Sequence, residues 1–218
     1  MRVIVAGGHG KIGLRLLRLL GEREEHPVGL VRKPEQDADL IALGAHPQRF
    51  DLESGSVDEL AEILAGADAV VFAAGAGPGS GAGRKDTMDR GGAVLLADAA
   101  EQAGVRRYLM VSAIGADAGR QPDHDDLFGA YIEAKKAADD NVRARNLDWT
   151  ILRPGGLTLE SGTGEVQLAE HTERGQVSRE DVAAVLLALL DEPRTAGLSL
   201  DLVSGTTPID EAVAALVG

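Results

Sequence analysis

The sequence predicts a three-layer α/β/α fold built on a doubly wound parallel sheet. Three observations carry this. Short apolar, β-branched runs alternate with longer stretches of helical spacing along the chain. Runs such as VIVA at Val3–Ala6 and AVVFAA at 69–74 are apolar without alternation, as in strands buried on both faces. The first run also passes directly into a glycine-spaced turn and an amphipathic segment. Strands alternating with helices imply βαβ units, joined by right-handed crossovers.

Taken in order, the first strand is expected at Val3–Ala6, and Ile12, Leu16, Leu19 and Leu20 give the helix after it one apolar face. Further strands are expected at Val28–Val31, at 48–50, at Ala69–Phe72, at 108–111, at 149–152 and at 198–203. Ser56 followed by Glu59, and Ser178 followed by Asp181, read as capping boxes that start two of the helices. Val94, Leu95 and Ala99 mark a helix after the fourth strand. Between them lies AAGAGPGSGAG at 73–83, too rich in glycine for a regular element. It follows a strand directly and is read as the edge of a site, since ligands in open α/β sheets bind outside the carboxyl ends of strands. The 218 residues suit one domain, in which 154–218 complete the sheet and supply a small substrate-side segment.

Bulk properties narrow the function. There is no cysteine, which excludes disulfides, thiolate metal sites and a cysteine nucleophile. The opening apolar run is too short for a signal peptide, and the longest apolar stretch, 182–190, is far below a membrane span. A cytoplasmic protein is expected. The net charge of −13 argues against nucleic acid or an anionic membrane as partner and leaves a small-molecule substrate. Residues 1–34 nonetheless carry seven Lys/Arg against three acids, a local +4 within an otherwise acidic chain. That suits a phosphate-bearing ligand near the N-terminus. No oligomeric state is indicated, because interface and core helices read alike.

Gly7, Gly8, His9, Gly10, Lys11, Ile12 and Gly13 close the first strand and open the first helix. The G-x-x-G-x-x-G spacing is close to the dinucleotide fingerprint of Rossmann-type folds. One glycine permits the turn, one lets the backbone approach a pyrophosphate, and one lets helix and strand pack closely. The helix N-terminus then offers free N–H groups and partial positive charge to the phosphates. At the end of the second strand an acid would select the ribose 2′-hydroxyl of NAD. The chain has Arg32 and Lys33 there, which suit a 2′-phosphate, so NADP(H) is expected in preference to NAD(H).

These segments, with Phe50-Asp51-Leu52, VVFAAGAGPGSGAG, YLMVSAIGAD, YIEAKKAADD, LDWTILRPGGL and VSREDVAAVL, resemble the atypical short-chain dehydrogenase/reductases over nearly the whole chain. The similarity is to their small NAD(P)-binding members of the NmrA-like and biliverdin/flavin-reductase-like kind. The resemblance implies that Asp51 and Leu52 lie beside the adenine. It implies that Ala73, Ala74 and Gly75 run along the ribose and pyrophosphate, that Pro154 lies near the nicotinamide, and that Val111 also belongs to the cofactor-binding residues.

Tyr131 and Lys135 form Y-x-x-x-K, and positions i and i+4 of a helix share a face. A cation beside the phenol favours its ionised form, so Tyr131 can serve as general acid to a carbonyl as hydride arrives, or as base in reverse. By the resemblance, Lys135 also holds the nicotinamide ribose and Ser112 orients the substrate carbonyl. Ala113 and Ile114 stand where the family's hydroxyl can also fall, so the Ser-Tyr-Lys set is open at its first member. The adjacent Asp123, His124, Asp125 and Asp126 are read as loop residues without a metal, Trp149 as packing and His171 as solvated. The chemistry expected is hydride transfer to a small carbonyl, flavin or quinone-like compound. A non-catalytic NADP(H) sensor is the competing class, and a nucleotide-sugar epimerase or dehydratase a third.

Overall fold

The computed structural model describes residues 1–77 and 79–218. In chain order its strands are β1 (Val3–Ala6), β2 (Val28–Val31), β3 (His46–Arg49), β4 (Ala69–Phe72), β5 (Arg107–Val111) and β6 (Asp148–Pro154). They continue with β7 (Gly156–Thr158), β8 (Glu165–Ala169), β9 (Gln176–Ser178), β10 (Leu198–Ser204) and β11 (Thr207–Pro208). The helices are α1 (Lys11–Glu22), α2 (Asp37–Ala42), α3 (Val57–Leu64), α4 (Ala82–Arg84), α5 (Ala93–Ala103), α6 (Asp126–Arg143), α7 (Arg179–Asp191) and α8 (Ile209–Ala215).

The main sheet runs β11-β8-β10-β6-β5-β4-β1-β2-β3. From β10 to β3 every neighbouring pair is parallel, while β8 lies antiparallel to both β10 and β11. The order reverses between β1 and β4, which places a crevice at the carboxyl ends of those two strands. The small pair β7-β9 stands apart from the main sheet.

The unalternating strands are explained by their two covered faces. In β1, Val3 and Val5 belong to one apolar layer with Leu16, Leu17 and Leu20 of α1 and Val182, Leu186 and Leu189 of α7. Ile4 and Ala6 belong to the other layer, with Leu60 and Leu64 of α3, Leu96 of α5 and Val142 of α6. All four β1 side chains are fully buried. None of the helices among the described residues is long and apolar enough to cross a membrane.

Both serine caps form. Ser56 Oγ accepts the Glu59 N–H, and the Glu59 carboxylate returns to the Ser56 N–H. Ser178 Oγ accepts the Asp181 N–H and donates to the Asp181 carboxylate, at 2.9 Å each. That carboxylate also receives the N–H groups of Thr163 and Gly164, which ties the start of β8 to α7.

Three expectations shift. The third strand occupies His46–Arg49 rather than 48–50, because it is the sheet's polar edge and shows no apolar run. The glycine-rich stretch becomes helical earlier than expected, at Ala82, and Pro78 within it lies outside the described residues. After α4 the chain winds as a π-helix over Lys85–Gly92 before tightening into α5. The strands β7, β8, β9 and β11 were not anticipated, although Glu165–Ala169 alternates exposed and buried positions as a half-covered strand should.

Candidate active site

A cleft of about 720 Å³ lies at the carboxyl ends of β1, β2, β4 and β5, which is where the strand order reverses. Gly7 turns the chain out of β1 with φ of +84°, and a Cβ there would stand 2.7 Å from the Ala74 Cα. The first turn therefore runs hard against the chain leaving β4. A Cβ on Gly13 would meet the Gly7 carbonyl oxygen at 2.3 Å, so only glycine lets α1 start this close to the turn. Gly10 caps α1 without a side-chain hydrogen bond and no acid stands in the first turn, so its first-turn N–H groups are available to an anion.

Gly7, His9, Gly10, Lys11 and Ile12 line the cleft. Gly8 and Gly13 stand behind the wall, Gly8 packed so closely on β2 that a Cβ would lie 2.7 Å from the Gly29 Cα. His9 Nε2 is 2.7 Å from the Asp39 carboxylate.

At one end of the cleft, Arg32 forms part of the wall, as do Phe50 and Leu52. Lys33 is exposed and outside the lining, and its N–H and that of Arg32 both donate to Gln36 Oε1. Asp51 also stands outside it. Its carboxylate accepts the Glu53 N–H, and it borders a separate shallow hollow with Arg2, Arg32 and Arg49. Ala73, Ala74 and Gly75 line the middle of the cleft.

At the other end, Val111, Ser112, Tyr131 and Lys135 converge. Lys135 is 4% exposed, donates to the Val111 carbonyl at 3.0 Å, and lies 3.3 Å from the Asp89 carboxylate. Asp89 is 1% exposed and accepts the Ala76 N–H with its other oxygen. The sequence reading missed this acid. It arrives from the π-helical stretch, whose wider winding is a recurrent feature of functional sites.

The Tyr131 ring centroid is 5.9 Å from Lys135 Nζ and 5.2 Å from Lys85 Nζ. Burial pushes the phenol above the ordinary tyrosine value. Lys135 pulls it down, but Asp89 and Asp139 push it up. Lys135 favours the phenolate, as its position suggests, but burial acts more strongly in the opposite direction.

Ser112 is 3% exposed, with its hydroxyl beside the Asp139 carboxylate but short of hydrogen-bond geometry. Asp139 is fully buried, with Oδ2 at 3.1 Å from Arg153 Nε, and burial raises its carboxyl above the usual range. Pro154 is buried at the end of β6, behind the wall, and its carbonyl accepts the Ile114 N–H.

Glu53, Leu127, Phe128 and Arg179 were not singled out from the sequence; the last three line the cleft, together with Arg84 from the segment after β4 and Leu157 from the expected substrate-side segment. Asp125 and His124 are structural, Asp125 capping α6 through the Phe128 N–H and His124 Nδ1 accepting the Gln121 N–H. His171 is exposed and Trp149 packs on the core from β6.

An uncapped helix N-terminus, a turn built of glycines pressed on the β4 loop, and a cleft bridging the reversal of strand order fit a dinucleotide. The fold and site thus define a Rossmann-type nucleotide-binding protein. The profile of the NAD(P)H-binding family matches residues 7–193, and the chain belongs to that family. It is 41% identical to an uncharacterized sugar epimerase of Bacillus subtilis, over 98% of this chain and 99% of that one. A solved structure from Bacillus halodurans, provisionally described as an NAD-dependent epimerase/dehydratase, superposes with a TM-score of 0.89 at 36% identity, covering 99% of both chains. An oxidoreductase of Lactococcus lactis gives 0.85 at 29% identity, covering 99% of this chain and 96% of that one.

Proposed function

We propose that the protein is an NADP(H)-dependent reductase of a small carbonyl, flavin or quinone-like compound. The observation that carries this reading is Tyr131 on the cleft wall, its ring 5.9 Å from the ammonium of Lys135, whose charge is matched by Asp89 at 3.3 Å. The nicotinamide, when bound, supplies a hydride. Tyr131 supplies the proton to the substrate oxygen, so hydride and proton together convert a carbonyl to an alcohol. Lys135 keeps the phenol end of the cleft electrostatically balanced and anchors α6 to β5 through the Val111 carbonyl. Ser112 borders the same wall, but its hydroxyl is buried beside Asp139, so the phenol of Tyr131 carries the proposed contact to the substrate oxygen.

An epimerase of the kind named among the relatives takes a proton from a sugar hydroxyl first, and so needs a tyrosinate near neutral pH. The burial of Tyr131 works against that, and residues 154–218 contribute only Leu157 and Arg179 to the lining of the cleft. The preference for NADP(H) rests on Arg32, the one member of the Arg32-Lys33 pair in the wall.

A screen of aldehydes, ketones, quinones and flavins, followed by NADPH absorbance, tests the reading together with Tyr131→Phe. Turnover that falls about 100- to 10,000-fold in the variant supports the acid role. Turnover equal to wild type on a good substrate overturns it. A second reading, the NADP(H) sensor, is favoured by the two internal bonds that hold Lys135 in the wall. Tight NADPH binding with no turnover of any screened compound, and a partner whose affinity follows the redox state, would establish it.

A further inference from the structure

Three consecutive strand ends contribute to one charge cluster at the nucleotide end of the cleft. Arg32 follows β2, Glu53 follows β3 and Arg84 ends α4 in the segment after β4. Because β1 lies between β4 and β2 in the sheet, the two arginines reach toward each other past the glycine turn. They meet on one carboxylate. Glu53 Oε2 accepts from Arg84 Nε at 3.2 Å and Nη2 at 3.0 Å, and lies 3.4 Å from Arg32 Nη1. Its Oε1 accepts the Thr87 hydroxyl at 2.8 Å, and Arg84 Nη1 donates to the Ala76 carbonyl at 3.3 Å. Both arginines line the cleft, while Glu53 sits behind them.

We propose that Arg84 is a second arginine of the 2′-phosphate subsite, and that Glu53 is a built-in competitor holding both arginines until a phosphate replaces it. The proposal rests on the reading of Arg32 as a 2′-phosphate ligand. A phosphate monoester presents three terminal oxygens, enough to serve two guanidinium groups that now share one oxygen of a carboxylate. NAD(H) carries nothing that displaces the carboxylate, so both arginines stay on Glu53 when it binds. NADP(H) exchanges one anionic partner for another, and the gain from its phosphate is reduced by the ion pairs it breaks. Glu53 rather than Arg32 alone then sets how strongly the protein discriminates between the two cofactors. Hydrogen bonds from Arg84 and Thr87, with the charge of Arg32, hold its carboxyl below the usual glutamate value, so the competitor stays charged at physiological pH.

The test is calorimetric titration of wild type, Glu53→Gln, Arg84→Gln and Arg32→Ala with NADPH, NADH and 2′,5′-ADP. Gln keeps the shape of Glu53 without its charge. The expected result is NADPH and 2′,5′-ADP binding about tenfold tighter to Glu53→Gln and about tenfold weaker to Arg84→Gln, or about 1.4 kcal/mol each, with NADH changed less than twofold. NADH binding lost in Glu53→Gln would make the carboxylate a ribose ligand and overturn the proposal, as would unchanged 2′,5′-ADP binding in Arg84→Gln. If Arg32→Ala abolishes an NADPH preference that the Glu53 and Arg84 variants leave intact, the cofactor reading stands and the competitor falls. If wild type shows no preference and Glu53→Gln creates one, the competitor stands as the reason. If neither shows one, both ideas fall together.

Discussion

Lys135 and Asp89 share one buried space, and neither can lose the other cheaply. Lys135→Met is expected to destabilise the fold by about 3–5 kcal/mol, because it leaves a buried carboxylate without its cation. The double variant Lys135→Met/Asp89→Asn should recover most of that in urea denaturation while turnover stays lost. A double variant as unstable as the single one would show that the pair is not the cause. Tyr131 makes a prediction of its own sign. Its pKa is raised, so the acid form persists past the ordinary tyrosine value, and kcat/KM for reduction should stay level on the alkaline side until above about pH 10. An alkaline limb near neutrality would contradict the burial argument. The Tyr131/Lys135 pair was legible because i and i+4 is a local relation. Asp89, Glu53 and the role of Arg84 were not, because each acquires its partner from a segment distant in the sequence, and a lone acid or arginine in the sequence looks solvated.

Helix starts and strand runs are where local chemistry spoke most clearly. The strands β1, β2 and β4 fall on the runs expected for them, since full burial on both faces demands an unbroken apolar run. The serine caps were equally readable, each a four-residue signal. The polar edge strand β3 and the antiparallel β8 were misplaced or missed because half-covered strands carry less apolar signal. The π-helical turn has no sequence mark recognised in advance. Two substitutions separate the tasks of two helices. Ser56→Ala removes the α3 cap and should cost about 1 kcal/mol in thermal unfolding with cofactor affinity unchanged. Gly13→Ala drives a methyl toward the Gly7 carbonyl, and is expected to cost about 1–3 kcal/mol and to lose cofactor binding as well. A Gly13→Ala protein that binds NADPH normally would remove the glycine turn from the proposed site.

Across the whole molecule, the cleft draws its wall from β1, β2, β4, β5 and α6, so a ligand seated there bears on both apolar layers at once. At a free NADPH concentration 100 times its Kd, linkage contributes about 2.7 kcal/mol, a rise of roughly 5–10 °C in Tm for a chain of this size. No rise in scanning calorimetry would mean that the folded protein does not bind the nucleotide. The sheet's two margins carry a different consequence. The N–H groups of His46 and Phe50 turn inward to the Pro27 and Val31 carbonyls, so the alternate position, Pro47, faces outward and has no N–H to give. At the opposite margin β11 is only Thr207 and Pro208 before the chain turns into α8. A sheet nine strands wide would otherwise offer a template at each margin; the donor missing at Pro47 and the two-residue length of β11 weaken both. Self-association through continuous sheet is thereby discouraged at each margin by a proline, Pro47 on one and Pro208 on the other.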